Sequence, residues 1–515
     1  MMAARETLSQ GLDTLMVLDG SGASPWVHGF NHPVRQGDSA EMFLEDTLRS
    51  GQGLSDPRLA RALCENSGVI FDELRRLGLS FNMTDAGEYQ AIRPLGASYP
   101  RVISIGNETG VAVLEKLRAL TAGKLKQLPH ARAVRLLRQD GRVCGALVFD
   151  QQKKAWTPIF ARAVVLCSGG FCGIFPITTN KRDSGGDGCA MAYEAGAELC
   201  DMEFIQFEPS ASVWPPALNG TSMITTLFFE GAVLRNKEGE RFMLRYGPEA
   251  ERVGKDILAR RIAAEIASGK GTEHGGVYMD ITGVDPDRLD RDYPMYVKRY
   301  MDVGIDIKRQ MIELAPAPHT SLGGVRIDEH GRTTLDGLFA CGEVTGGIHG
   351  ANRIGGSAGL ETLVFGRLAG KAAADYASRQ REASETAVDL PAGDGAPAAD
   401  ALAEARSRMR QTLWESAHVI RTEEGLTEGI GTLQALLSEA EATRGSGAEE
   451  GFLAMRLRND LTTALMVLLA ARERRETVGC HVRGDHPERE RNEYRVVIRK
   501  DASGHMAAER AELEA

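Results

Sequence analysis

The sequence predicts an α/β protein in which a parallel-sheet domain is interrupted by an α+β insertion and followed by a helical domain. Three observations carry this. Residues 15–19 (Leu-Met-Val-Leu-Asp) form a short apolar run ending in an acid, the pattern of a buried parallel strand. Residues 337–367, GLFACGEVTGGIHGANRIGGSAGLETLVFGR, hold a second such strand that passes through Gly342-Glu343 into a glycine-rich loop, closed by a helical segment over 360–369. Residues 400–475 are heavy in Leu, Ala, Glu and Arg and carry a helical pattern.

Taken in order, residues 3–12 read as a helix and 15–19 as the strand after it. Where a dinucleotide lies along such a sheet, the acid ending the second strand takes the ribose hydroxyls. The first strand and its Gly-x-Gly-x-x-Gly turn belong before it, and residues 1–6 continue such a turn naturally, so a native start upstream of Met1 is expected. Residues 39–79 are mainly helical, and 132–166 alternate like β-strands, with a turn at Asp140-Gly141. Residues 163–167 form a buried-strand pattern running into Ser168-Gly169-Gly170, and 184–188 (Ser-Gly-Gly-Asp-Gly) open an Ala-rich helix over 189–197. Residues 204–315 read as the insertion, because the strand-Gly-Glu signature returns only after them. The stretch 383–400, rich in Ala, Pro, Gly and Asp, reads as a linker. In the charged tail 476–515, residues 494–499 read as a strand and the last dozen residues as frayed.

Bulk properties narrow the function classes. The chain has 515 residues, 43% hydrophobic and 26% charged, enough for two or three domains. A net charge of −10 argues against a nucleic-acid surface. No apolar run is long enough to span a bilayer, and no secretory signal is visible. The eight cysteines form no Cys-x-x-Cys pair, so no metal or cluster site is expected; most lie in apolar surroundings as reduced thiols, which fits the cytoplasm. In the loop after Glu343, glycines allow close backbone approach to a ligand and leave a helix N-terminus open to anions, and His349 and Arg353 suit a carboxylate or phosphate.

Several segments in the same order resemble the flavoprotein family of succinate dehydrogenase, fumarate reductase and L-aspartate oxidase, from about residue 3 to about 490. They are Gly37-Asp-Ser-Ala40 with Leu44-Glu-Asp-Thr-Leu48, Ser168-Gly-Gly, Ile177-Thr-Thr-Asn180, Gly186-Asp-Gly188, Asp201-Met-Glu-Phe-Ile-Gln-Phe207, Pro318-His319 with Gly323-Gly324, and the loop after Gly342. The stretch from Glu476 to Pro487 is similar to the family's C-terminal motif, with Val478 in place of an arginine, and implies structural support of the flavin domain. The resemblance implies a Rossmann-like FAD-binding domain (1–204 and 316–382), its first strand and Gly-rich turn missing, interrupted by an α+β capping domain (205–315). A linker (383–400), a helical domain (401–475) and a tail (476–515) follow.

The resemblance also implies roles. Asp19 matches the ribose-binding acid; Ser24 and Gly29 fall in the loop over the flavin. Ser168, Gly169, Asp187, Gly342 and Glu343 match further FAD contacts, and Ser357 and Ala358 lie where the family meets the ring and ribityl chain. Ala23 stands where many members carry the flavin-linking histidine, so FAD is expected to be non-covalent. His319 and Arg353 match the substrate-carboxylate ligands, and Arg353 also lies beside the flavin. His349 is expected to be structural.

Three positions depart from the family. Glu208 replaces a carboxylate-binding histidine, Thr225 falls on a proton-relay glutamate, with Phe228 on a nearby arginine, and Lys255 replaces the proton-donating arginine. A lysine is able to act as a general acid but lacks the planar fork. Glu208 is expected to repel a second carboxylate, which turns substrate choice away from fumarate and succinate. The implied activity is hydride transfer between flavin N5 and a small carboxylate-bearing substrate. Ordinary succinate/fumarate chemistry with a separate iron–sulfur protein, at the cytoplasmic side of the inner membrane, or aspartate oxidation, are the alternatives within the family; a non-catalytic binding protein is the alternative outside it.

Overall fold

The computed structural model describes all residues except 95, 107, 382–386, 392–394, 397, 444 and 514–515. Two parallel strand pairs form the heart of the α/β part. Leu15–Leu18 runs beside Lys126–Pro129, and Val164–Leu166 runs beside Leu338–Ala340. Helix Ser357–Ala377 leaves the glycine loop and packs on helices Met2–Ser9 and Pro57–Arg76. It begins earlier and ends later than the 360–369 expected. A Cβ on Gly370 would stand 2.6 Å from Ala3 Cα, so these helices meet backbone to backbone. Pro57–Arg76 starts where its sequence says it should: Asp56 accepts hydrogen bonds from Arg58 N and Leu59 N, and Pro57 fills the first turn.

The alternating stretch forms an antiparallel meander, Ala131–Gln139, Arg142–Asp150 and Ala155–Phe160. Its first turn uses Asp140 (φ 52°) and Gly141 (φ 82°), the two left-handed positions a tight hairpin demands. The insertion is a four-stranded antiparallel sheet in the order Ile205–Trp214, Ile312–Ser321, Val277–Asp280, Val233–Arg235. It has its own apolar core, with Leu227, Phe228, Leu234, Phe242, Ile262 and Met279 fully or almost fully buried. Helices Ala399–Ser416, Glu423–Ala442 and Gly447–Glu473 make the helical domain. Of the expected linker 383–400, residues 383–386, 392–394 and 397 lie outside the described residues, and the helix begins at Ala399.

The tail departs from expectation. Met506–Glu512 is not frayed: it pairs antiparallel with Tyr494–Lys500, and this hairpin edges a five-stranded sheet that continues through Leu199–Cys200, Gly324–Arg326 and Thr345–Gly346. Its Ala- and Glu-rich sequence has no strand propensity of its own; the ladder and the partly buried Met506 and Ala508 hold it. Among the described residues no helix is long and apolar enough to cross a membrane.

Candidate active site

The two long cap strands bring the site together. Ile205–Trp214 and Ile312–Ser321 pair antiparallel, with Gln206 opposite Thr320, Phe207 opposite Pro318 and Glu208 opposite Ala317. Pro209 has no N–H to give, and the ladder resumes only at Ala211, opposite Ala315. Gln206 and Glu208 therefore share a face of the sheet. The glycine loop comes in from the other side. Gln206 donates to Asn352 Oδ1 (3.1 Å) and to the Arg353 carbonyl (3.0 Å), and its own oxygen accepts from Arg353 Nη2 at 2.8 Å. The C-terminal motif braces the loop from behind, where Cys480 N donates to the Ala351 carbonyl at 2.9 Å.

Arg353 is the most telling group. Its Nε is buried without a hydrogen-bond partner, and among the described residues the guanidinium forms no ion pair. Burial lowers its pKa, while the charges of Glu343 and Glu361 act the other way. A guanidinium stays charged even so. A desolvated cation with an orphaned N–H is costly unless an anion completes it. His319 lies in the same neighbourhood, since the charges of Glu208, Lys255 and Arg353 all act on it. Burial brings its pKa down to about 4, so the imidazole is neutral. Nδ1 is 2.8 Å from Thr179 Oγ1, and Nε2 makes no hydrogen bond among the described residues.

The opposite wall corrects the sequence reading. Glu208 is not a lone acid: its Oε2 takes a hydrogen bond from Lys255 Nζ at 2.6 Å, and Ser210 donates to Oε1 at 2.9 Å. Burial pushes the Glu208 carboxyl up, but the charge and hydrogen bond of Lys255 and the hydrogen bond from Ser210 outweigh it and hold it below the usual glutamate range. Glu208 is 4% exposed, whereas the Lys255 side chain is 35% exposed at the first residue of helix Lys255–Glu265. Thr225 opens a 3₁₀ turn, Thr225–Phe229, and its hydroxyl makes no hydrogen bond among the described residues; Phe228 fills the cap core. Thr225 is not joined to the Glu208–Lys255 pair. His349 is structural, paired with Glu361 at 2.8 Å in the interior.

The residues matched to FAD divide into two groups. On one side, Glu343 Oε1 accepts from Asn180 Nδ2 (2.9 Å) and Ser321 N (3.1 Å), and Oε2 is left free of protein partners among the described residues. Burial raises the Glu343 carboxyl, with the Ser321 and Asn180 hydrogen bonds opposing it. Ser357 and Ala358 form the first turn of helix Ser357–Ala377, behind Gly356 (φ 86°), and Asn31 Nδ2 donates to Ser357 Oγ at 3.0 Å. Asn31 Oδ1 is buried without a partner. Gly342 has φ 76°. Free helix-start amides, an orphaned amide oxygen and a half-used carboxylate fit the polar edge and ribityl chain of a flavin.

On the other side, Arg132, which sequence reasoning missed, bridges Asp19 and Asp187 at 2.8 Å to each. Asn459, reaching in from the helical domain, takes the second oxygen of Asp187 at 3.2 Å. Asp187 is therefore fully engaged by protein, while Asp19 keeps one oxygen open among the described residues. Ser168 and Gly169 (φ 78°) follow the strand Val164–Leu166 after Cys167, and the Ser168 hydroxyl occupies the space that a Cβ on Gly188 would need. Ser24 lies in the 3₁₀ turn Ser24–Trp26, and Gly29 is packed so closely on the Ile103 carbonyl that a side chain has no room. No motif points to Arg132; the one signal in the sequence was a charge at an inward position of an alternating strand.

The comparisons with known proteins agree with this geometry. Residues 1–358 match the FAD binding domain family, and residues 406–511 match the fumarate reductase flavoprotein C-terminal family. The chain belongs to this flavoprotein family. It is 37% identical to a subunit of the fumarate reductase (CoM/CoB) of Methanothermobacter marburgensis, over 88% of this chain and 84% of that protein. It is 32% identical to L-aspartate oxidase of Pseudomonas aeruginosa, over 91% and 89% respectively. Among solved structures, Mycobacterium smegmatis Sdh1 in complex with UQ1 matches with a TM-score of 0.89 at 28% identity, over all of this chain and 92% of that one. The protein is an FAD-dependent oxidoreductase of the fumarate reductase, succinate dehydrogenase and aspartate oxidase family, with an interrupted FAD-binding domain, a capping domain and a C-terminal helical domain.

Proposed function

We propose that the enzyme transfers a hydride to or from a small substrate that carries one carboxylate, with substrate choice turned away from fumarate and succinate. FAD, when bound, supplies the two-electron chemistry. The chain's own residues hold and orient the substrate and move a proton. The orphaned Nε–H of the Arg353 guanidinium carries this reading: the group takes the substrate carboxylate in the bidentate geometry suited to its fork, and His319 Nε2, neutral and donating, takes a further oxygen. A Thr179 hydroxyl that donates to Nδ1 leaves the ring proton on Nε2.

At the other end, Lys255 supplies or receives the proton, and Glu208 holds its ammonium in place. Their charges cancel, so this wall offers no net positive charge to a second carboxylate. An amide, amine, hydroxyl or apolar group fits there better. Asp19, Ser24, Gly29, Ser168, Gly169, Gly342, Glu343, Ser357 and Ala358 are proposed to line a non-covalent FAD site, with Arg132 fixing Asp187 and Asp19. A separate iron–sulfur protein is proposed as electron partner: a 37%-identical relative is named as one subunit of its enzyme, and no metal-binding group of three or more ligands occurs among the described residues.

The test follows the flavin absorbance of the FAD-loaded protein on addition of a panel of mono- and dicarboxylates, reduced and oxidised. The reading requires that a monocarboxylate change the oxidation state of the flavin and that Arg353→Met slow that change about a hundredfold while flavin stays bound. A panel in which no carboxylate perturbs the flavin would remove the proposal.

A further inference from the structure

A second redox element lies where the two central strands end. Cys167 and Cys341 each stand one residue beyond the paired strands Val164–Leu166 and Leu338–Ala340, in a register that sets Leu166 opposite Ala340. Their sulfurs are 3.3 Å apart. Both thiols are free, Cys341 buried and Cys167 exposed. Neighbouring strands lie about 4.8 Å apart, which falls inside the Cα separation that a disulfide spans. The hydrogen bond between the thiols lowers the pKa of Cys167 and raises that of Cys341. Cys167, the exposed sulfur, is the one an oxidant reaches first, and the buried Cys341 is the resolving partner. None of the other six cysteines forms a sulfur–sulfur contact among the described residues.

We propose that Cys167 and Cys341 form a redox-responsive dithiol that closes to a disulfide under a low-molecular-weight disulfide oxidant. The Cys167 thiolate attacks one sulfur of the oxidant, forming a mixed disulfide and releasing one thiolate. Cys341 then gives up its proton, attacks the Cys167 sulfur and displaces the second thiol. Two protein thiols are oxidised and one disulfide is reduced to two thiols. The new bond would lie just before Ser168-Gly169 and Gly342-Glu343, and would fix the spacing of the two turns.

The test treats the FAD-loaded full chain with oxidised glutathione, blocks remaining thiols by alkylation, and maps peptides without reduction. The expected result is a peptide joining Cys167 to Cys341, the other cysteines alkylated, and full reversal by dithiothreitol. Cys341→Ser is expected to stop at a glutathione adduct on Cys167. Alkylation of both cysteines in the wild type, or a glutathione adduct on Cys167 beside an alkylated Cys341, overturns the proposal. The wild-type map decides by itself if the variant does not fold.

Discussion

Replacing Lys255 by Met removes the cation from a carboxylate that is 4% exposed and leaves Ser210 as its remaining donor. Breaking a fully buried ion pair from one side costs about 3–5 kcal/mol. Solvent reaches Lys255, whose side chain is 35% exposed, so screening brings the expected loss down to about 2 kcal/mol at neutral pH. Glu208→Gln keeps hydrogen-bonding capacity at the buried side and frees Lys255 to turn to water, so its loss stays below about 1 kcal/mol. The double variant should lose little more than Glu208→Gln, a coupling of about 1–2 kcal/mol. The pH dependence carries the sign. Without Lys255 the Glu208 carboxyl is raised by burial, and a raised acid stabilises the fold as pH falls through its folded value. The Lys255→Met deficit should therefore shrink on going from neutral to mildly acidic pH. Urea unfolding of the FAD-loaded single and double variants at several pH values measures all of this. Equal, small and pH-independent losses in both single variants would show that the pair is solvent-screened, and would refute its role as a neutral wall.

Other consequences are equally measurable. Arg353→Lys should retain part of the substrate efficiency lost in Arg353→Met, where kcat/KM falls by about a hundredfold, the order of 2–3 kcal/mol for a charged hydrogen-bonded contact, at unchanged flavin content. His32, His319 and His418 are each held neutral by burial, at about 4. Their unfolded counterparts protonate first, so stability is full above about 6.5 and is lost as pH falls toward 4, on the order of 3 kcal/mol per histidine. A thermal midpoint that stays flat over that range would contradict the burial of these rings. Gly188→Ala drives a Cβ into the Ser168 hydroxyl and to 2.9 Å from Val344 Cγ2. It should cost about 1–3 kcal/mol and lower the flavin-to-protein absorbance ratio of the purified enzyme.

Much of the fold was legible because local patterns and tertiary structure agree. The run of residues 338–340 into Gly342, at φ 76°, is a strand end that glycine favours, and Asp140-Gly141 is a hairpin turn by its chemistry. Met506–Glu512 was not legible, since its residues favour helix and only pairing with Tyr494–Lys500 makes it a strand. The proposed anion-binding half of the site, Arg353 and His319, could be read by motif. The Glu208–Lys255 pair could not: the two residues are 47 positions apart, and nothing near either one names the other. The same holds for Arg132, which finds Asp19 and Asp187 across 113 and 55 residues.

The central claim is a site with one charged anchor, Arg353, facing a neutral Glu208–Lys255 wall. It is tested most directly by kcat/KM for fumarate against its monoamide, in the wild type and in Glu208→His. The wild type should prefer the monoamide, and Glu208→His, which frees Lys255, should shift the ratio toward fumarate by about tenfold, or about 1.4 kcal/mol. A wild type that prefers fumarate, with a ratio unmoved by Glu208→His, would contradict the account.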